Sequence, residues 1–414
     1  MPGDKSISHR AALIAALSTG KSEISNFSTA RDCASTLRCL EDLGISIETK
    51  KEKLIFAGGE NLRTPTKPLD CGNSGSTLRI LAGVLAGHDL TAELTGDESL
   101  SARPMRRIIE PLELMGAKIE SNDGTAPLKI RGSKELTPIT YKLPVASAQV
   151  KSAILFAGLN ATGRTTVIET SPTRDHTERL FNGFGVPVAT NSDLSVTLDG
   201  PARLTGGAIT IPGDISSAAY FVAAAMLLPG SELTIEGVGL NPTRAAFLSV
   251  LNSWGADIST ADLQTERNEP CGTINVRGRI SQLGNRQPGI SKNSIPSLID
   301  ELPLLAIVGS QIDGGIRIHD AAELRHKESD RLAATAKNLR AMGAEVEEFE
   351  DGLSVHGPTK LHGALIDSHG DHRIAMAFSI AALLTDGETE IDGAECVAIS
   401  FPEFFDLLQS VVVR

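Results

Sequence analysis

Asn73-Ser74-Gly75-Ser76-Thr77-Leu78-Arg79 runs directly into Ile80-Leu81-Ala82-Gly83-Val84-Leu85-Ala86-Gly87, and this stretch decides the fold. A cap-forming polar start followed by small apolar residues on nearly every side predicts a helix without a solvent face, which must lie in an interior. The pattern recurs. Lys5-Ser6-Ile7-Ser8 leads to AALIAAL, Ser147-Ala148-Gln149 to KSAILFAGL, Asp214-Ile215-Ser216-Ser217 to AAYFVAAAMLL, Asp300-Glu301 to LPLLAIVG, and Asp371-His372-Arg373 to IAMAFSIAALL. Anchored on Lys5, Gly75, Ser147, Ser216, Asp300 and Asp371, the starts follow at intervals of about 70 residues, stretched between Ser216 and Asp300.

A second marker keeps the same interval. Leu43-Gly44, Met115-Gly116, Phe184-Gly185, Trp254-Gly255 and Met342-Gly343 each end a helix-like segment and precede an alternating one. Glycine directly after the last apolar residue suits a left-handed helix C-terminus, and the alternation suits a strand with one buried face. Six repeats result, each reading strand, buried helix, strand, amphipathic helix, then two strands such as KLIFAGG, PLKIRGS, SVTLDGP or LSVHGP. The expected fold is α/β, with two similar domains of three β-α-β-α-β-β repeats around parallel buried helices: residues 1–212 and 213–414, dividing near Pro212-Gly213. Phe401 to Leu408 is expected to supply the last amphipathic helix. Every later buried helix follows a candidate strand, such as Ala208 to Ile211, but nothing precedes the first.

A chain of 414 residues, 41% hydrophobic and 22% charged, buries a sizeable core, which excludes disorder and fibrous repeats. Ala218 to Leu228 is far too short to span a bilayer, and no basic, apolar leader opens the chain, so a soluble cytoplasmic protein is expected, without a membrane partner. The five cysteines, Cys33, Cys39, Cys71, Cys271 and Cys396, form no C-x-x-C and are expected to be reduced packing residues. A net charge of −12 with 4% aromatics argues against nucleic acid as a partner. Any bound anion must therefore meet a local cluster of cations.

The helix starts supply such clusters. Ser6, Ser74, Ser147 and Ser216 read individually as N-caps, yet capping needs no cation, and these starts also carry Lys5, Arg10, Arg79, Lys151, His372 and Arg373. Parallel helices would turn these ends to one face in each domain. Two such faces forming a cleft for a small polyanion is the expectation. Other motifs fail on context. Gly158 to Thr165 approximates a P-loop but follows a helix and precedes a strand, and CGNSGS lacks the three-glycine dinucleotide spacing. The nine histidines include no H-E-x-x-H, and His369 with His372 reads as a loop pair, so no metal site is expected.

PGDKSISHR, GNSGSTLR, SARP, SAQVKSA, SPTRDHTE, GDISSAAYF, IDELP, ELRHKESDR, GDHRIAMA and SFPEF, in this order across nearly the whole chain, resemble the 5-enolpyruvylshikimate-3-phosphate synthases. These are the 3-phosphoshikimate 1-carboxyvinyltransferases of aromatic amino-acid synthesis, and the wording is most similar to the bacterial class II branch. The resemblance implies the enolpyruvyl transferase fold, of inside-out α/β barrel type, with the shikimate 3-phosphate side in residues 1–212. It also implies the substrates phosphoenolpyruvate and shikimate 3-phosphate, no cofactor, no metal, a monomer, and glyphosate as an inhibitor at the phosphoenolpyruvate pocket. Carried over by position, Lys5, Gly75, Arg103, Gln149, Arg331 and Arg373 hold phosphoenolpyruvate. Lys5, Ser6, Arg10, Ser147, Gln149, Arg174, Asp300 and Lys327 hold shikimate 3-phosphate. Asp300 is the expected base for the 5-hydroxyl and Glu328 the expected proton donor to carbon, with Lys5 as the competing acid.

Two departures stand out. The family's other branch has a Lys just before its final Phe-Pro where this chain has Ile399-Ser400. The family also usually carries a stretch ahead of PGDKS that adds a strand to the second domain, and that strand is expected to be missing here. Two alternatives are an enolpyruvyl transferase acting on a UDP-amino sugar and a non-catalytic phosphate-binding relative. The first usually carries a reactive Cys in the loop here written GDESLSARP; the second would lack the acid and base.

Overall fold

The computed structural model describes residues 1–59, 62–279 and 290–412. It divides into two compact units: Pro2–Pro212 with Thr265–Glu269, and Gly213–Gln264 with Met1 and the chain from Pro270 onward. Each has its own apolar core.

The first unit holds α1 (Lys5–Leu17), α2 (Arg31–Asp42), α3 (Gly75–Ala86), the short α4 (Glu98–Ser101), α5 (Arg106–Leu114), α6 (Ala148–Gly158) and α7 (His176–Gly183). Along α1, α3 and α6 almost every residue is buried, as their all-round apolar sequences require. Gly83 lets α3 lie against α6, since a Cβ there would collide with the Ala153 carbonyl oxygen. The amphipathic α2, α5 and α7 end at Leu43-Gly44, Met115-Gly116 and Phe184-Gly185, and all three glycines take positive φ, as do Gly255 and Gly343 in the second unit.

Three four-stranded sheets share one pattern. Their orders are Ala208–Thr210, Ser22–Ser25, Lys53–Phe56, Ile47–Lys50; then Leu69–Asp70, Thr91–Thr95, Thr125–Arg131, Lys118–Asn122; then Thr140–Lys142, Gly163–Ile168, Ser195–Gly200, Val188–Thr190. The first pair of each is parallel and the others antiparallel. In the second and third sheets the parallel pair flanks a buried helix, a β-α-β unit. In the first sheet the leading strand is Ala208–Thr210, taken from the far end of the unit. The sequence places this strand at the opening of the fourth repeat, but its hydrogen bonds complete the first.

The second unit holds α8 (Ile215–Leu227), α9 (Ala246–Ser253), α10 (Ile295–Leu298), α11 (Leu302–Gly309), α12 (Arg331–Ala341), α13 (His372–Ala382) and α14 (Phe404–Val411). Buried α8, α11 and α13 pack on one another. The sheets are smaller among the described residues: Glu232–Gly239, Glu269–Arg277 and Asp257–Glu266; Ile316–Ile318, Gly352–Val355 and Val346–Phe349; and the parallel pair Leu365–Asp367 and Glu390–Asp392. The turn between Asp257–Glu266 and Glu269–Arg277 belongs to the first unit, a grouping that a division at residue 212 does not foresee. There Arg267 donates to the carbonyls of Ala208 and Gly183, and His176 Nδ1 lies 2.7 Å from Glu269 Oε1.

Candidate active site

In the first unit the starts of the buried helices carry most of the predicted binding set, and the starts of α2 and α7 join them. Asp4, Ser74 and Ser147 cap α1, α3 and α6, accepting the amides of Ile7, Thr77 and Val150. Ser6 is not a cap; its carbonyl accepts from Arg10 Nη1 at 2.9 Å. Lys5 Nζ lies 2.8 Å from Asp32 Oδ2 at the start of α2.

Gly75, Arg103 and Gln149 come together. Gln149 accepts from Arg79 Nη1 at 2.8 Å and donates to Ser76 Oγ at 2.9 Å, which fixes its amide between α3 and α6. Arg103 Nη2 donates to Asn73 Oδ1 at 2.8 Å and to Ser99 Oγ at 3.2 Å. A Cβ on Gly75 would stand 2.6 Å from Arg79 Nη1 and 3.5 Å from Arg103 Nη1, so this glycine faces the two guanidinium groups. Arg79 donates to Gln149, and Arg103 to Asn73 and Ser99, all neutral side chains.

Arg10 faces inward. It donates to Thr177 Oγ1 and Ser152 Oγ, both at 2.8 Å, and ties α1 to α6 and α7. Burial pulls its pKa down to about 10, against the attraction of Glu178, so it remains a cation at neutral pH. Arg174 stands two residues before α7 and its charge adds to that lowering. Lys151 is not an anion-binding cation, contrary to the expectation. It lies 2.6 Å from Glu178 and 3.0 Å from Glu169, with all three side chains almost wholly buried. Burial pushes the ammonium's pKa down, but the two carboxylates outweigh it and hold it raised; burial also raises Glu178, which Lys151 opposes.

The second unit is organised differently. Arg331, the first residue of α12 and 2% exposed, meets three carboxylates: Asp371 at 2.8 Å through Nε, Glu328 at 2.6 Å through Nη2, and Asp300 at 3.3 Å through Nη1. Their attraction outweighs burial and raises its pKa. Arg373 lies 3.8 Å from Asp300 and 3.7 Å from Glu301. Beside it, burial lifts the Tyr220 phenol to about 12, against the pull of Arg373, and keeps it neutral. Asp371 caps α13 through the Arg373 amide, while Asp214 rather than Ser216 caps α8. Glu301 accepts from Ser216 Oγ, which also accepts from Arg244 at 2.7 Å. Lys327, just after a 3-10 turn, pairs with Glu323 at 3.4 Å. Asp300 and Glu328 keep 16% and 19% of their side-chain surface, enough to meet a ligand.

Asp32, Glu301 and Asp371 escape a reading based on cations, because acids that orient those cations carry no signature of their own. Asp371 alone had a signal, its N-cap position before His372-Arg373. Where the family's other branch has Lys, this chain ends a 3-10 helix at Ile399 and continues with Ser400. Among the described residues no group of three or more His, Cys, Asp or Glu is disposed to hold a metal ion. None of their helices is long and apolar enough to cross a membrane.

The family model described as EPSP synthase (3-phosphoshikimate 1-carboxyvinyltransferase) matches residues 1–408. The chain belongs to the EPSP synthase family. A 3-phosphoshikimate 1-carboxyvinyltransferase of Koribacter versatilis is 54% identical to it over 100% of this chain and 96% of that protein. One from Synechocystis is 49% identical over 99% and 92%. A solved EPSP synthase from Acinetobacter baumannii superposes with a TM-score of 0.87 at 41% identity, covering 99% of this chain and 94% of that one. The family's two-domain enolpyruvyl transferase fold therefore applies to this chain, and the repeat count read from the sequence agrees with it.

Proposed function

We propose that the two clusters serve the reaction that family membership assigns to this chain. It transfers the carboxyvinyl group of phosphoenolpyruvate to the 5-hydroxyl of shikimate 3-phosphate and releases phosphate, in the shikimate route to aromatic amino acids. Phosphoenolpyruvate is assigned to Lys5, Gly75, Arg103 and Gln149 with Arg331 and Arg373. Shikimate 3-phosphate is assigned to Lys5, Ser6, Arg10, Ser147, Gln149, Arg174, Asp300 and Lys327. Given its buried bonds, Arg10 acts by holding α1, α6 and α7 together beneath that substrate.

The product keeps a vinyl group, so the reaction adds across the double bond and then restores it. A proton from Glu328 goes to the methylene carbon, which becomes a methyl group and leaves the central carbon electron-poor. The 5-hydroxyl oxygen bonds to that carbon while its proton passes to Asp300. A methyl proton then returns to the acid, the carbon–oxygen bond to phosphate breaks, and phosphate leaves with the electron pair beside Arg and Lys. Lys5 is the competing acid.

The observation that carries this reading is Asp300 between Arg331 and Arg373, with Glu328 on the same Arg331. Two carboxylates capable of moving protons share the cations assigned to one substrate. The free cysteines suit the reducing cytoplasm to which the chain is assigned. Phosphate release from phosphoenolpyruvate, measured with shikimate 3-phosphate and separately with a UDP-amino sugar, tests the function. Release with the first acceptor alone is expected; release with the second, or with neither, contradicts it.

A further inference from the structure

A chain of buried hydroxyls joins the starts of three helices in the first unit, and no step of the reaction uses it. His9 Nδ1 lies 2.7 Å from Thr36 Oγ1, which lies 2.7 Å from Thr77 Oγ1. Thr77 Oγ1 stands 2.8 Å from Ser74 Oγ and 3.3 Å from the Asp32 carbonyl oxygen. His9, Thr36, Thr77 and Ser74 are all at most 1% exposed.

The protons have one consistent direction. The Asp32 carbonyl only accepts and Ser74 Oγ accepts from Thr77, so the Thr77 hydroxyl is committed as a donor. Its oxygen then accepts from Thr36, and Thr36 in turn accepts from His9 Nδ1–H. His9 Nε2 has no hydrogen-bond partner among the described residues, and a bare lone pair is tolerated there better than a buried, unpaired N–H. Burial, with the nearby charges of Lys5 and Arg10, keeps this imidazole neutral.

The placement gives the chain a purpose. His9 is one turn along α1 from Lys5, and Thr36 is one turn along α2 from Asp32, so the His9–Thr36 contact is the rung below the Lys5–Asp32 ion pair. From that rung the chain passes to Thr77 and to Ser74, whose Oγ caps the helix that begins at Gly75. Lys5 and Gly75, both assigned to phosphoenolpyruvate, thus start helices that the hydroxyls join. We propose that Thr36 is a positioning residue for phosphoenolpyruvate: with His9 and Thr77 it sets the start of α3, and hence Gly75 and Arg79, against Lys5. The proposal rests on the assignment of Lys5 and Gly75 to phosphoenolpyruvate.

Thr36→Val keeps the side chain's shape and removes both bonds, whereas Thr36→Ser keeps the hydroxyl. In Thr36→Val, KM for phosphoenolpyruvate should rise about tenfold while kcat and KM for shikimate 3-phosphate stay within roughly twofold, and Thr36→Ser should stay near the parent chain. Thr77→Val carries the same test where Thr36→Val does not fold. A valine variant that melts earlier but keeps its KM for phosphoenolpyruvate overturns the proposal, because the chain is then only structural. Equal changes in the serine and valine variants overturn it too, since the methyl and not the hydroxyl would matter. Arg103→Lys is the control: an unchanged KM there overturns the underlying site assignment, whereas a raised KM there with an unchanged one in Thr36→Val overturns this proposal alone.

Discussion

The two units place the same kinds of residue at their helix starts and pair them differently. In the first, the ion pairs of Lys151 with Glu169 and Glu178 are sealed inside, while Arg79 and Arg103 donate to Gln149, Asn73 and Ser99. In the second, Arg331 and Arg373 are themselves the centre of the acid network. The first arrangement sets guanidinium groups among neutral hydrogen-bonding side chains beside Gly75. The second holds the carboxylates of Asp300 and Glu328 next to Arg331, with Arg373 also beside Asp300. In the proposed reaction both units contribute binding residues, and the expected acid and base, Glu328 and Asp300, lie in the second.

The largest expected effect lies on the sealed pair. Lys151→Met leaves Glu169 and Glu178 buried without their cation, which should destabilise the first unit by about 3–5 kcal/mol in denaturant unfolding. A variant as stable as the parent chain would mean that Lys151 is not the structural counterpart of the second unit's arginines. Next come the two clamping arginines. Lys lacks the planar fork, so Arg103→Lys should raise KM for phosphoenolpyruvate about tenfold with little change in kcat. Arg373→Lys should lower kcat as well, because Arg373 also orients Asp300. Identical behaviour of the two variants would remove the distinction between the units.

The smallest effect concerns pH. Burial, then Lys5 and Arg10, holds His9 well below the ordinary imidazole value of 6.5. The unfolded chain therefore takes up a proton that the folded chain does not, and stability should fall as pH drops below about 6.5, by at most about 1.4 kcal/mol per pH unit. The sign follows from the lowered folded value: the contribution is complete above the unfolded pKa and is lost below it. Urea unfolding from pH 8 to 5.5 should show a shallower loss in His9→Asn. An equal slope would remove His9 as its source.

What was legible in the sequence follows from local chemistry. The five glycines after Leu43, Met115, Phe184, Trp254 and Met342 mark helix ends because a left-handed backbone position selects glycine whatever packs around it. The buried helices were visible because an apolar surface on all sides has no other place to go. Pairing was not legible. Lys151 reads as a cation at a helix start, and nothing near it announces Glu169 or Glu178, which arrive through the fold. Ala208–Thr210 reads as the opening of the fourth repeat because strand partners are set by tertiary hydrogen bonds, not by order along the chain. The hydroxyl chain from His9 to Ser74 is equally silent, since threonine at a buried helix position looks like ordinary packing.

The assignment of proton chemistry to Asp300 and Glu328 is tested most directly by titrating shikimate 3-phosphate into Asp300→Asn and Glu328→Gln by calorimetry while measuring their turnover. Both variants should bind shikimate 3-phosphate, with kcat reduced by about a hundredfold or more, the range that a positioned acid or base supplies. Near-normal turnover in Glu328→Gln would contradict the account and move the acid role to Lys5, into the unit to which only binding is assigned.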